Sequence, residues 1–124
     1  MYFSLNSLDI EYDTHDDSPI FTFTNDTNHK MIITYWSIQD GGNLFSIENY
    51  KNGKLSGAQQ YWDKDGSCHT IENYKNGRQH GIQQYWYSIQ NGGHQRSIRN
   101  YKNNKQNGIQ HYWNEDGSYY TEHY

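Results

Sequence analysis

The feature that most constrains this chain is that it repeats. Ser46-Ile47-Glu48-Asn49-Tyr50-Lys51-Asn52-Gly53-Lys54 returns as Thr70-Ile71-Glu72-Asn73-Tyr74-Lys75-Asn76-Gly77-Arg78, and again as Ser97-Ile98-Arg99-Asn100-Tyr101-Lys102-Asn103-Asn104-Lys105. Each copy runs on to a glycine and a Tyr-Trp pair: Gly57 to Tyr61-Trp62, Gly81 to Tyr85-Trp86, Gly108 to Tyr112-Trp113. In all three, the first tyrosine lies 11 residues ahead of the tyrosine of the pair. An earlier pair, Tyr35-Trp36, opens the array, so the pairs recur after 26, 24 and 27 residues. A unit this short cannot bury its own apolar side and completes itself against its neighbours.

The local chemistry of each unit predicts a hairpin. Lys-Asn-Gly-Lys and Lys-Asn-Gly-Arg place Asn-Gly where a type I′ turn needs positive φ at both central residues. Asn104 takes the glycine's place in the third copy, and asparagine is the next most tolerant residue there. Asp63-Lys64-Asp65-Gly66 and Asn114-Glu115-Asp116-Gly117 are also turn sequences, while Asp40-Gly41-Gly42 and Asn91-Gly92-Gly93 serve longer hairpins. The single proline, Pro19, leaves the repeat strands free to pair. No run has helical spacing with caps, so almost no helix is expected.

With Asn76-Gly77 at a two-residue tip, Lys75 faces Arg78, Tyr74 faces Gln79 and Ile71 faces Ile82. Alternation along a strand then puts Ile71, Ile82, Gln84 and Trp86 on one face. An even-length connection at residues 63–66 adds Ala58, Gln60, Trp62 and His69 to that face. Tyr61, Tyr74, Tyr85, Cys68 and Gly81 go to the other. The same construction sends Trp36, Phe45 and Ile47 to the first face. Residues 86–98 span one residue more than the first-copy segment, and a Gly-bulge loop at Asn91-Gly92-Gly93 would restore Trp86 opposite Ile98. Tyrosines beside Gly57, Gly81 and Gly108 would lay their rings over bare backbone.

The expected fold is therefore all-β: an elongated, twisted antiparallel meander of repeated hairpins, with an Ile/Trp ladder on one face and a Tyr ladder on the other. Residues 35–124 form the repeats. Residues 1–34 do not match them and are read as an N-terminal β cap, with strands near 8–12, 20–24 and 31–36, since an array must blunt its terminal edge.

The motif Tyr-Lys-Asn-Gly-Lys-x-x-Gly with a following tyrosine resembles the MORN repeat, in particular the variant of bacterial antitoxin-like proteins. Glu72-Asn73-Tyr74-Lys75-Asn76-Gly77-Arg78-Gln79-His80-Gly81 is the best copy, followed by residues 46–62 and 97–113. The resemblance covers about residues 35–124. It implies antiparallel hairpins and roles in protein–protein interaction, scaffolding and, in some members, membrane association. It carries no catalytic residues. Large DNA viruses and protists also carry such proteins. The units here are longer and less uniform than the common form.

Composition narrows the function. Only 32% of residues are hydrophobic and valine is absent, a polarity that would suggest disorder were 17% of residues not aromatic, 13 of them tyrosine. Tyrosine and tryptophan cover apolar area while their polar ends stay wet, which suits a thin sheet. A net charge of −4 without a basic face argues against nucleic-acid binding. Cys68 is the only cysteine, which leaves no intramolecular disulfide and fits a reducing compartment. No apolar run approaches the roughly 18 to 20 residues of a membrane span, and no secretory leader is recognisable. The expected compartment is the cytoplasm, or host cytoplasm or virion if the source is viral.

Candidate chemical centres weaken on inspection. His15, His29, His69, His80, His94, His111 and His123 form no close metal-binding pair, and half-buried sheet positions are expected of His69 and His111. Asp63-x-Asp65-Gly66 lacks the later ligands of a calcium loop. Cys68 falls on a strand without a cation or helix N-terminus to activate it. Glu48, Glu72 and Arg99 occupy one repeat position, where a cross-strand charge pair is expected. No catalytic residue, metal or cofactor is assigned. The expected function is a non-enzymatic protein-binding or scaffold module whose partner is another protein or a second copy. Its surface is the ladder of Trp36, Trp62, Trp86, Trp113, Tyr61, Tyr74, Tyr85, Tyr101 and Tyr112. The alternative is carbohydrate or small-ligand binding on the same rings, and contact with a membrane surface stays open.

Overall fold

The computed structural model describes residues 9–25 and 27–124. Its strands are β1 (Asp9–His15), β2 (Ser18–Thr24), β3 (His29–Tyr35), β4 (Leu44–Lys51), β5 (Lys54–Leu55), β6 (Gly57–Trp62), β7 (Cys68–Lys75), β8 (Arg78–Gln79), β9 (Gly81–Trp86), β10 (Gln95–Lys102), β11 (Lys105–Gln106), β12 (Ile109–Trp113) and β13 (Tyr119–His123). All belong to one open antiparallel meander in chain order. The short pieces β5, β8 and β11 begin the return strand of each repeat hairpin. Helical structure among the described residues is limited to two three-residue 3-10 turns, Ile38–Asp40 and Ile89–Asn91.

The hairpin tips follow from their residues. Asn52-Gly53, Asn76-Gly77 and Asn103-Asn104 all have positive φ at both positions, from 50° to 79°, as a type I′ turn requires. Each tip also docks on the preceding hairpin. Asn52 N–H donates to Asn28 O at 3.0 Å, Gly77 N–H to Leu55 O at 2.9 Å, and Asn104 N–H to Gln79 O at 2.9 Å. Asn104 adds a bond that glycine cannot make: its Oδ1 accepts from Gln79 N–H at 2.7 Å.

Beyond the tips, the register departs from simple alternation. Tyr74 faces Gln79 and Lys75 faces Arg78 as expected, but Ile71 faces Gln84, not Ile82. The shift is two residues, so it leaves the faces unchanged. Its cause is a buried glutamine. Gln83, fully excluded from solvent, turns its amide into the gap: Oε1 accepts from Asn73 N–H at 2.6 Å and Nε2 donates to Asn73 O at 2.9 Å. Asn73 Nδ2 donates back to Ile82 O at 2.6 Å. The side-chain amide thus replaces a peptide group of the ladder. Gln59 does the same to Asn49, and Gln110 to Asn100.

Two other expectations are corrected. The 63–66 connection is closed by Asp63 and Ser67, with an odd number of residues between them; Asp63 N–H donates to Ser67 O at 2.8 Å. A bulge between Cys68 and Thr70 restores parity further along β7. Cys68 therefore lies opposite Trp62, and it is His69 whose ring stacks with Tyr61 at 6.4 Å, the reverse of the expected assignment. In the next hairpin Trp86 faces Gln95, and Ile98 faces Gln84, because a bulge intervenes between Gln95 and Ser97.

That hairpin carries no insertion. Trp36 and Tyr87, 51 residues apart, begin matching segments, Trp36-Ser37-Ile38-Gln39-Asp40-Gly41-Gly42 and Tyr87-Ser88-Ile89-Gln90-Asn91-Gly92-Gly93. Trp36 N–H donates to Asn43 O and Tyr87 N–H to His94 O. Trp36 Nε1 donates to Trp62 O at 3.2 Å and Tyr87 Oη–H to Trp113 O at 2.7 Å. Tyr35, not Trp36, is thus the counterpart of Trp86 in the alignment.

The N-terminal strands β1, β2 and β3 continue the same sheet edge-on, each pairing with the next and β3 with β4. Their bounds differ by a few residues from those expected, and Leu8 lies outside the described residues. A further tight tip, Asp16-Asp17, joins β1 to β2 with positive φ at both residues. Among the described residues, every substantial contact between strands is one between sheet neighbours, so no second layer covers either face. Accordingly no hydrophobic side chain among the described residues is buried; Ser97 and the three bridging glutamines are fully buried, and Ser46 and Asn49 nearly so.

Candidate binding faces of the sheet

The pairing lays out two complete rows of side chains, one per face, because residues directly opposite across antiparallel strands share a face. The first row runs Tyr12, Phe21, Ile33, Ile47, Gln60, Ile71, Gln84, Ile98, His111 and Thr121. It is apolar toward β1 and polar toward β13. Tyr12 and Phe21 pack at 5.0 Å between centroids, and Phe21 meets Tyr35 edge-on at 6.1 Å.

The opposite row runs Ser46, Tyr61, Thr70, Tyr85, Ser97, Tyr112 and Tyr120. Tyrosines alternate with Ser or Thr up to Tyr112, a large–small sequence that lets each ring lie over its small neighbour. Ser46 and Ser97 are consequently buried. A second tyrosine row, Tyr50, Tyr74 and Tyr101, lies toward the tips, with Tyr74 opposite Gly57 and Tyr101 opposite Gly81. Of the nine ring residues expected to form a surface, Tyr61, Tyr74, Tyr85, Tyr101 and Tyr112 therefore belong to one continuous face. Trp62, Trp86 and Trp113 end β6, β9 and β12, while Trp36 packs on Phe45 at 4.6 Å under Lys64, whose ammonium lies 5.3 Å from the indole. All nine rings are partly exposed.

Between the two tyrosine rows stand Glu48, Glu72, Arg99 and Glu122. The expected Glu–Arg ion pair is absent among the described residues. Glu72 instead accepts from Tyr85 Oη–H at 2.8 Å and from Gln79 Nε2 at 3.2 Å. Arg99 lies between the rings of Tyr85 and Tyr112, 5.2 and 5.4 Å from their centroids. Rings and hydroxyls thus relay between charges that do not touch. Burial raises the Tyr61 phenol to about 12, with Glu48 and Glu72 adding to the effect. Tyr85 is raised further, first by burial and then by its bond to Glu72. These phenols are therefore neutral donors at physiological pH.

The polar residues of the loops act within them. Asp65 Oδ1 accepts from the Ser67 hydroxyl at 2.5 Å and from Ser67 N–H at 2.8 Å, and Asp116 Oδ1 from Ser118 N–H at 2.8 Å; the serine hydroxyls first, and then these backbone N–H groups, hold both carboxyls below the usual carboxylate range. His69 bonds Thr70 Oγ1 at 2.7 Å and His111 bonds the Tyr119 hydroxyl at 2.5 Å. Among the described residues no three His, Cys, Asp or Glu side chains converge as metal ligands. Burial pushes the Cys68 thiol up, which makes it a weak nucleophile near neutral pH.

The hollows of the sheet are open and shallow. One of about 690 Å³ lies beside Thr24, Lys30, Ile32 and Tyr50 and includes none of the four tryptophans. A smaller groove of about 240 Å³ runs beside Arg96, Arg99 and Tyr112. Tyr87 and Arg96, both lining it, were missed by the sequence reading. The matching segments at residues 36–42 and 87–93 carry the signal, which the more conspicuous Tyr-Trp pairs obscure. No helix among the described residues is long and apolar enough to cross a membrane. No family model, curated protein or solved structure matches the chain.

Proposed function

We propose that this protein is a non-enzymatic binding module, MORN-like in its hairpins, that offers the faces of a thin sheet to a protein partner. The observation that carries this reading is the absence of a second layer. The isoleucine-bearing row crosses the whole sheet and the tyrosine row runs from β6 to β13, and among the described residues none of these isoleucines and tyrosines is fully buried. Aromatic side chains held in place by neighbours are favoured anchors, since they bring large area at little entropic cost. The tyrosine face adds carboxylates and a guanidinium at fixed spacing, which supplies specificity.

Cross-linking in cell extract, comparing two double variants, tests the proposal. Gln60→Lys with Gln84→Lys charges the isoleucine face; Tyr50→Ser with Tyr74→Ser strips the tyrosine face. All four positions are partly exposed, so both proteins should melt near the wild type. One variant is expected to lose a specific cross-linked species that the other retains. A wild type without any cross-linked partner overturns the reading.

A second reading, self-association, is favoured by one observation. Every residue of β13 is exposed, and among the described residues its outer edge has no strand partner. Such an edge is a template for another strand. Light scattering over a concentration series should then show a mass rising toward the dimer; a constant monomer mass removes this reading.

A further inference from the structure

The groove beside β10 differs from its counterpart one double repeat earlier above all in charge. Arg96 is the extra residue of the bulge between Gln95 and Ser97, and Phe45 is the extra residue of the matching bulge in β4. Phe45 stacks on Trp36; Arg96 stands over Tyr87, 5.9 Å from its centroid. Three positions further on, Arg99 replaces Glu48. A pair of positions that holds one neutral and one acidic side chain in the first half of the array thus holds two cations in the second, at matching bulges.

Neither guanidinium is neutralised by a carboxylate within salt-bridge distance among the described residues. The acids on that face are engaged elsewhere: Glu72 by the Tyr85 hydroxyl and Glu122 by the Tyr124 hydroxyl at 2.5 Å. Arg99 spends only its Nε, donating to Ser97 Oγ at 3.3 Å, which leaves its terminal nitrogens as donors. The groove that both arginines line is walled by Tyr112 and Tyr120, whose rings stack at 5.1 Å and 17°, and by Trp113.

We propose that this groove binds a phosphate monoester carried on an aromatic ring. Two guanidinium forks match the oxygens of one phosphate, whose charge near neutral pH is about −1.5 to −2. The flat walls take the ring by offset stacking. A carboxylate would balance only one arginine, and a bare phosphate would leave the walls unused. The inference goes beyond the scaffold reading and does not depend on it, because the probe is a small molecule.

The experiment is a titration of the full chain with O-phosphotyrosine, inorganic phosphate and tyrosine, followed by calorimetry and by tryptophan fluorescence. Saturable binding of phosphotyrosine is expected, at least about tenfold tighter than of inorganic phosphate, with none for tyrosine. Arg96→Gln and Arg99→Gln should each weaken it by about tenfold, the size of one charge-assisted contact. Arg96 is exposed, so its variant keeps the fold even if the Arg99 variant does not. Lys30→Gln, at the other hollow, should change nothing. Absence of saturable binding overturns the proposal, as does binding that survives Arg96→Gln. Equal affinity for phosphotyrosine and phosphate overturns the role of the ring.

Discussion

The residues that matter most to this fold are polar. Gln59, Gln83 and Gln110 are fully buried in a molecule with no buried hydrophobic side chain among the described residues, and each completes a ladder that the backbone leaves open. Replacing Gln83 with alanine orphans the Asn73 N–H, at about 1–3 kcal/mol, and also removes the packing of a buried side chain. Gln83→Ala should therefore destabilise by about 2–4 kcal/mol in urea melts. Gln83→Glu should be worse near pH 7, since a carboxylate would point an acceptor at Asn73 O and bury a charge. Its folded-state pKa would lie above the unfolded value, so protonation favours the folded form. The gap to the wild type should narrow from pH 7 to pH 4; a gap that widens on acidification would refute this account of the bridge.

At the scale of the hairpin, the tips do two tasks. They reverse the chain, and they join one hairpin to the previous one through a backbone bond. Asn104 combines both, accepting positive φ and capturing Gln79 N–H with its side chain. Asn104→Gly relaxes the backbone but loses that bond. The expected net effect is a loss of about 0.5–1 kcal/mol, with faster amide exchange at Gln79. A stabilised Asn104→Gly protein would show that the tips act by turn geometry alone. Repetition of a turn was readable in the residues themselves. The docking of one tip on another was not, since it joins groups some 25 positions apart.

At the scale of the molecule, a sheet without a covering layer has an unusual thermodynamic balance. Unfolding exposes less apolar area than in an ordinary globule while releasing the same backbone groups, and it is apolar exposure that raises heat capacity. The heat-capacity change of unfolding should therefore fall below the usual value of about 12–15 cal/mol/K per residue, measured by calorimetry at several pH values. A value in the ordinary range would mean that another surface, such as a second copy, covers the rings in solution.

What the residues determined alone was whatever is local or strictly periodic. Positive-φ tips come from Asn-Gly chemistry, strand content from alternation, and segregation of tyrosine from isoleucine from parity, which an even shift of register preserves. What the tertiary structure decided was everything that breaks alternation. The Gln–Asn bridges, the exchange of Cys68 and His69 and the bulges at Phe45 and Arg96 each depend on a neighbouring strand supplying a partner. A bulge changes parity through a single backbone choice, whose energy lies in hydrogen bonds to residues distant in the chain. No composition or spacing on one strand encodes that partner, so it is settled only when the strands meet.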